Sequence, residues 1–428
     1  MDILDQLCEF SQLAELPDSA RSIMRLSLLD WSSCALAGQN EPVKQIVRNM
    51  VFAEGGTGQA TLVGSGSRVP ARAAALANGV ASHALDYDDT HFAHIGHPSV
   101  AVIPAALAVA QIAVADGQEF LDAALIGVEA SIRVGIWLGR SHYQAGFHQT
   151  ATAGAFGATL AAGRLLGLNK GAMAQALGLV STRASGLKSQ FGTMGKPMNA
   201  GIAASNGVES ALLAQAGFVS NSGGLDHFGE THHGAGDLGA FDTMGQDWLF
   251  ETVSHKFHAC CHGLHAMLEA IDSIGNIVNP QDVRQVTVTT HPRWEKVCNI
   301  ASPTTGLQAK FSYRLAAAMA LSGVDTAELE SFSDANTNDQ KLITLRDRVN
   351  VLFDPSVQET ATKIEIEKID GVIFRGVYDL ADPVDLAKRT EKLQSKARAL
   401  VGNDRAAMIW KSINSGPDMA EFLKTLGG

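Results

Sequence analysis

Apolar residues recur at i, i+3, i+4 and i+7 through 101–116 (AVIPAALAVAQIAVAD), 151–166 (ATAGAFGATLAAGRLL) and 200–217 (AGIAASNGVESALLAQAG), with alanine and glycine between them. Small residues on several faces let helices approach closely, so this pattern predicts buried helices in a dense bundle. Gly117, Gly167 and Gly217 each follow such a run, where a helix C-terminus takes glycine. Before about residue 218 no segment alternates as a strand does. Beyond the Gly-rich stretch 219–245 the period changes. VRQVTVTT (283–290) and ATKIEIEK (361–368) alternate, and GVIFRGVYD (371–379) follows across Asp370-Gly371, which predicts a hairpin. Helical periodicity marks 262–275, 311–323 and 338–352, and a charged amphipathic helix is predicted over 384–401. The fold class expected is mainly α. A large all-helical domain, from 1–252 and 382–428, carries a smaller α+β lid domain at 253–381.

Composition narrows the picture. The 428 residues, 46% of them hydrophobic, can bury a sizeable core and usually divide into two or three domains. No run approaches the roughly 20 apolar residues of a membrane span. The start, MDILDQLCEFSQLAE, is acidic and amphipathic rather than a basic, apolar leader, so a cytoplasmic protein is expected. The net charge is −11 and the basic residues are scattered, which argues against nucleic acid as a partner. An anionic ligand must then be held by a few local cations. Five cysteines without regular spacing read as thiols in a reducing compartment.

The densest polar segment runs from His83 to Ser99 and holds three carboxylates (Asp86, Asp88, Asp89) and four histidines (His83, His91, His94, His97) between two helical runs. Such a density marks a site more readily than a solvated loop. The spacing of His91, His94 and His97 suits a metal only on a helix, and Gly96-His97-Pro98 disfavours helix there, so no metal is expected. His97 precedes Pro98 and Lys196 precedes Pro197, each at the start of an Ala-rich run. The residue before proline is pushed to extended geometry, which would stand each basic side chain beside a helix N-terminus that favours an anion. Two such corners can hold the carboxylates of a small polyacid; two ordinary helix starts are the alternative. Lysine also serves as base or acid when burial lowers its pKa. The knot His255-Lys256-Phe-His258-Ala-Cys260-Cys261-His262-Gly-Leu-His265 reads as a cationic junction, because adjacent cysteines rarely share one ion. Ser185-Gly-Leu-Lys188 lacks the companion motifs of the SxxK serine enzymes. No GxGxxG unit, Walker A loop or GxSxG elbow is present, and no cofactor is expected.

ALANGVASHALDYDDTHFAHIGHPS (75–99), GTMGKPMNAGIAASNGVESALLAQAGF (192–218) and KFHACCHGLHAMLEA (256–270) resemble the signature blocks of the MmgE/PrpD family, and the layout agrees over nearly the whole chain. The resemblance implies a cofactor-free enzyme acting on small di- or tricarboxylates, as a homodimer. The activities it brings are 2-methylcitrate dehydration, cis-aconitate decarboxylation and iminodisuccinate epimerisation. Matched residue by residue, it marks Asp86, Thr90, His97, His148, Lys196 and Lys256. One position departs. Where the decarboxylase and dehydratase branches carry tyrosine, Lys310-Phe-Ser312-Tyr-Arg-Leu315 places leucine, and Tyr313 lies two residues earlier. The shared chemistry removes a proton beside a carboxylate, which requires positive charge where negative charge develops. The leading expectation is an epimerase of an imino- or amino-dicarboxylate. In it Lys196 and Tyr143 exchange the α-proton, His148 and Asp86 assist, and Thr90, His97 and Lys256 bind carboxylates. The alternatives are a dehydratase of a 2-methylcitrate-like hydroxy acid, with His148 or Lys196 as base and Asp86 in support, and a non-catalytic carboxylate binder.

Overall fold

The computed structural model describes residues 2–234, 236–275, 279–414, 416 and 418–427. Its contacts divide the chain into two compact units, Met1–His255 with Val401–Gly428, and Lys256–Leu400. The class is mainly α, as the periodicity predicts.

In the first unit the helices that position the candidate site are α1 (Asp18–Ala37), α2 (Ala71–His83), α3 (Ser99–Ala113), α4 (Gly117–Ala145), α5 (Gln149–Leu165) and α6 (Gly195–Gln215). Every residue of α3 from Ser99 to Ala110 is buried, the signature of a helix surrounded by others. Small residues set the spacing. A Cβ on Gly127 of α4 would stand 2.5 Å from the carbonyl oxygen of Gly157 in α5. A Cβ on Gly79 of α2 would stand 2.9 Å from the Cα of Gly201 in α6. This second approach lies about one turn from His83 and from Lys196, so it draws the two ends of α2 and α6 that carry those side chains together.

Three expectations are corrected in this unit. Gly117 does not end α3; Val114 takes the left-handed cap (φ 54°), and Gly117 opens α4 behind an Asp116/Glu119 capping box. The region is not wholly helical: β1 (Ala60–Thr61) and β2 (Arg68–Val69) pair antiparallel, each too short to show an alternating pattern. Lys196 is not extended but lies in the first turn of α6, ahead of Pro197. Proline there costs no hydrogen bond, because first-turn N–H groups have no intrahelical acceptor.

The second unit contains β3 (Val283–Thr290), β4 (Val349–Phe353), β5 (Ala361–Lys368) and β6 (Ile373–Asp379), in the order β4-β3-β5-β6. Strands β3 and β4 run parallel, and the other pairs are antiparallel. Val286 faces Ile366 and Val288 faces Ile364. All four are buried, on the sheet that packs against α7 (His265–Ile274). The β5–β6 connection turns at Gly371 with φ 84°, the conformation Asp-Gly supplies. The unit also holds α8 (Tyr313–Leu321), α9 (Gln340–Arg346) and, up to Leu400, α10 (Leu386–Val401). The single helix expected over 338–352 is instead α9 followed by β4. Its five residues alternate in burial, but they are too few to outweigh the helical period before them. No helix among the described residues is long and apolar enough to cross a membrane.

Candidate functional site

The candidate site grows from the loop between His83, the last residue of α2, and Ser99, the first of α3. Asp86 (φ 51°) and Ile95 (φ 55°) sit in the left-handed region. Aspartate tolerates that region better than most residues; for the β-branched Ile95 it is strained. Asp89 anchors the loop. Its carboxylate accepts from Ser27 Oγ on α1 at 2.8 Å and from Ser99 Oγ at 2.5 Å. Burial raises the Asp89 pKa against those hydrogen bonds. Asp88 lies between two imidazoles, 2.9 Å from His83 Nδ1 and 2.9 Å from His97 Nδ1. Burial works to raise the Asp88 pKa, but the two rings outweigh it and hold the carboxyl well below its usual range. Burial lowers His83, only partly countered by Asp88, whereas at His97 Asp88 and Asp86 overcome burial and the pKa rises.

The third carboxylate, Asp86, connects the loop to α6. Its Oδ1 stands 2.6 Å from Lys196 Nζ and 3.2 Å from His97 Nε2. Lys196, Asp86, His97, Asp88 and His83 thus form one continuous chain of ion-pair contacts. His148 caps the start of α5, fixed by its N–H donating to the Gly186 carbonyl at 3.0 Å. Its ring stacks 6.0 Å from His83 and meets the face of Phe191 edge-on at 4.9 Å. The ammonium of Lys196 lies 5.4 Å from the same Phe191 ring. Burial, then the charges of His83, Lys196 and His97, push the His148 pKa well down, so this imidazole is neutral near pH 7. Asn199 Nδ2, 3.2 Å from His148 Nδ1, donates to it, which leaves the ring proton on Nε2.

Asp86, His97, His148 and Lys196, drawn from three separate stretches of sequence, are therefore neighbours. Other expected residues have different surroundings. The hydroxyl of Thr90 lies 3.4 Å from the Ser254 carbonyl, and their backbones form a bridge. Tyr143 sits in the last part of α4, beyond a break at Gly139, with Lys188 Nζ 3.7 Å above its ring. Lys256 belongs to the second unit, where it is buried and its charge acts to lower the pKa of Cys260, His265 and Cys298. Of the histidine triplet, His91 turns to Thr252 Oγ1 at 2.9 Å, and His94 is buried with its pKa pushed by burial to about 3.

Among the described residues one group is close enough to hold a metal ion, and it is a different one: His83, Asp86, Asp88 and His97 offer atoms within 4.8 Å of one another. Two imidazoles and two carboxylates suit zinc. The Lys196 ammonium, however, already supplies positive charge at Asp86.

Family models for the MmgE/PrpD N-terminal domain and the MmgE/PrpD C-terminal domain match residues 5–231 and 258–410. The chain belongs to the MmgE/PrpD family. A cis-aconitate decarboxylase-like protein oryM of Aspergillus oryzae is 26% identical, over 94% of this chain and 92% of its own length. Cis-aconitate decarboxylase of Aspergillus terreus is 30% identical over 67% of this chain and 64% of its own length. The human cis-aconitate decarboxylase is 26% identical over 83% and 78%. This MmgE/PrpD chain is thus similar to enzymes whose names describe a lyase activity. Sequence reasoning did not assign site roles to His83, Asp88, Phe191 and Asn199. The first two stood in the dense polar segment, but neither Phe191 nor Asn199 carries a signal apart from its nearness to Lys196.

Proposed function

We propose that this chain is a cofactor-independent lyase that dehydrates a small hydroxy polycarboxylate, with Lys196 and Asp86 as its proton-transfer pair. The observation that carries the reading is the 2.6 Å contact between Lys196 Nζ and Asp86 Oδ1 inside a cluster of imidazoles. In this reading a polyacid settles beside the pair. The ammonium proton then passes to Asp86. The free amine removes the proton from the carbon beside a substrate carboxylate, and the Asp86 carboxyl gives its proton to the departing β-hydroxyl. Water leaves, an alkene forms, and the original ion pair is restored. The Nε2–H of His148 donates to a carboxylate oxygen, and the His97 ring, held between Asp86 and Asp88, adds positive charge beside it; both stabilise the developing charge. Thr90 completes carboxylate binding in this reading. A cytoplasmic homodimer belongs to it too, on the family resemblance.

A second reading, epimerisation, draws on Tyr143. Its ring lies under the Lys188 ammonium, and its phenol offers a second acid/base group for returning the proton from the opposite side. Decarboxylation, the activity in the relatives' names, is a third reading. Leu315 stands where the decarboxylase and dehydratase branches both carry tyrosine, and Tyr313 is engaged in donating to the Gly263 carbonyl at 2.7 Å, so this position does not separate decarboxylation from dehydration.

Incubating the protein in heavy water with a panel of hydroxy, unsaturated and imino polyacids tests these readings. Dehydration yields an alkene absorbing in the ultraviolet, and epimerisation yields deuterium at the α-carbon without alkene. Decarboxylation releases carbon dioxide. Binding without turnover across the panel overturns the enzyme reading.

A further inference from the structure

Five cysteines remain outside the proposed chemistry, and two of them are paired by the fold. Cys261 Sγ and Cys298 Sγ lie 3.4 Å apart, with Cys298 as the donor. They come from segments 37 residues apart, and both segments are tied to one short stretch of backbone. The Cys261 N–H donates to the Lys310 carbonyl at 3.0 Å. Next to Cys298, Asn299 bridges Ser312, and the Ile300 N–H donates to the Phe311 carbonyl at 3.1 Å. Residues 310–312 therefore act as a common ruler for both thiols. The turn after Cys261 is pinned as well: Tyr313 Oη donates to Gly263, where an added Cβ would stand 2.9 Å from Cys298 Sγ and 2.5 Å from the Trp294 ring. The thiols differ in access. Cys261 is half-buried and Cys298 fully buried.

From this geometry we infer that Cys261 and Cys298 are a peroxide-sensitive dithiol, in which Cys261 is oxidised first and Cys298 resolves it into an intramolecular disulfide. The Cys261 thiolate attacks one oxygen of hydrogen peroxide, the O–O bond breaks, and sulfenic acid and hydroxide form. The Cys298 sulfur then attacks the Cys261 sulfur, the S–O bond breaks, and the leaving hydroxide takes the thiol proton as water. Overall two thiols and one peroxide become one disulfide and two waters. Closing from 3.4 Å to a bond of about 2.05 Å requires the sulfurs to approach by roughly 1.4 Å, within reach of side-chain rotation. The roles follow from chemistry. The thiolate is the nucleophile, and the hydrogen bond to Cys261, together with burial, raises the Cys298 pKa and keeps its proton in place. Cys260 is buried with its pKa raised, chiefly by burial, and does not compete.

The test needs no substrate and stands apart from the reaction proposed above. The full chain is treated with hydrogen peroxide, denatured and alkylated without reductant, and digested. The expected result is three alkylated cysteines out of five, a linked peptide pair joining Cys261 to Cys298, and full alkylation once dithiothreitol is added. In Cys298→Ser the Cys261 sulfenic acid persists and is captured by dimedone. In Cys260→Ser the linked pair still forms. Alkylation of all five thiols after peroxide, or linkage through Cys260, would overturn the inference.

Discussion

Two regions of the first unit bury charge in opposite ways. Around Asp88 each buried charge has a counter-charge: His83 and His97 flank the carboxylate, and Asp86 joins His97 to Lys196. In the helix Pro42–Glu54, Lys44 is fully buried, and its Nζ has no hydrogen-bond partner among the described residues. The charge of Arg48, one turn along, acts on it with like sign, so burial and then Arg48 lower the Lys44 pKa to about 8. Equal burial therefore produces opposite electrostatics, and the paired region is the one with candidate chemistry. Burial alone marks no site; an arrangement of opposite charges around exchangeable protons does.

The contrast breaks first at Asp88. Asp88→Ala strands two buried imidazoles and should cost about 3–5 kcal/mol, read as a lowered urea midpoint. The pH dependence has a definite sign. The depressed Asp88 pKa contributes stability above the usual carboxylate value of 3.8 that is lost as pH falls through the folded value. The raised His97 pKa contributes stability below 6.5 that is lost as pH rises through its folded value. The gap between wild type and Asp88→Ala should thus be widest between these limits, and a flat gap would refute the paired-charge account. Lys196→Ala should lower turnover on the order of 10²-fold or more, with circular dichroism unchanged.

Lys44 responds in the other direction. Its folded pKa lies below the ordinary 10.5, so the unfolded chain binds more protons between about 8 and 10.5, and stability rises with pH across that window. The full rise is on the order of 3 kcal/mol, and Lys44→Met should recover a comparable gain at pH 7 and flatten the dependence. A Lys44→Met variant less stable than wild type would mean that a counter-charge or ordered water serves the amine. The smallest effect belongs to Phe191, which is partly exposed. Phe191→Leu removes its ring contacts with His148 and Lys196 and should cost about 0.5–1 kcal/mol by thermal unfolding.

Much of this arrangement is readable in the chain. The Ala- and Gly-rich periodic runs determine a buried helical bundle, because only small residues permit backbones to approach as Gly79 and Gly201 do. Alternation determines β3, β5 and β6, and the block around Asp86-Tyr-Asp88-Asp89 identifies the loop that bears the carboxylates. The carboxylates' separate tasks were not readable. Asp86, Asp88 and Asp89 look equivalent in sequence, yet one meets Lys196, one lies between imidazoles, and one anchors the loop to Ser27 and Ser99. Likewise Phe191 and Asn199 acquire meaning only where His148 packs against them.

Periodicity and turn chemistry act over a few residues, so the chain by itself determined the helices, the hairpin and the polar loop. Which side chains meet depends on contacts between residues far apart in sequence: Asp86 with Lys196, Asn199 with His148, Cys261 with Cys298. Only the packed structure decided those pairings, because a side chain's charge state is set by the neighbours that replace its water, and the fold chooses those neighbours.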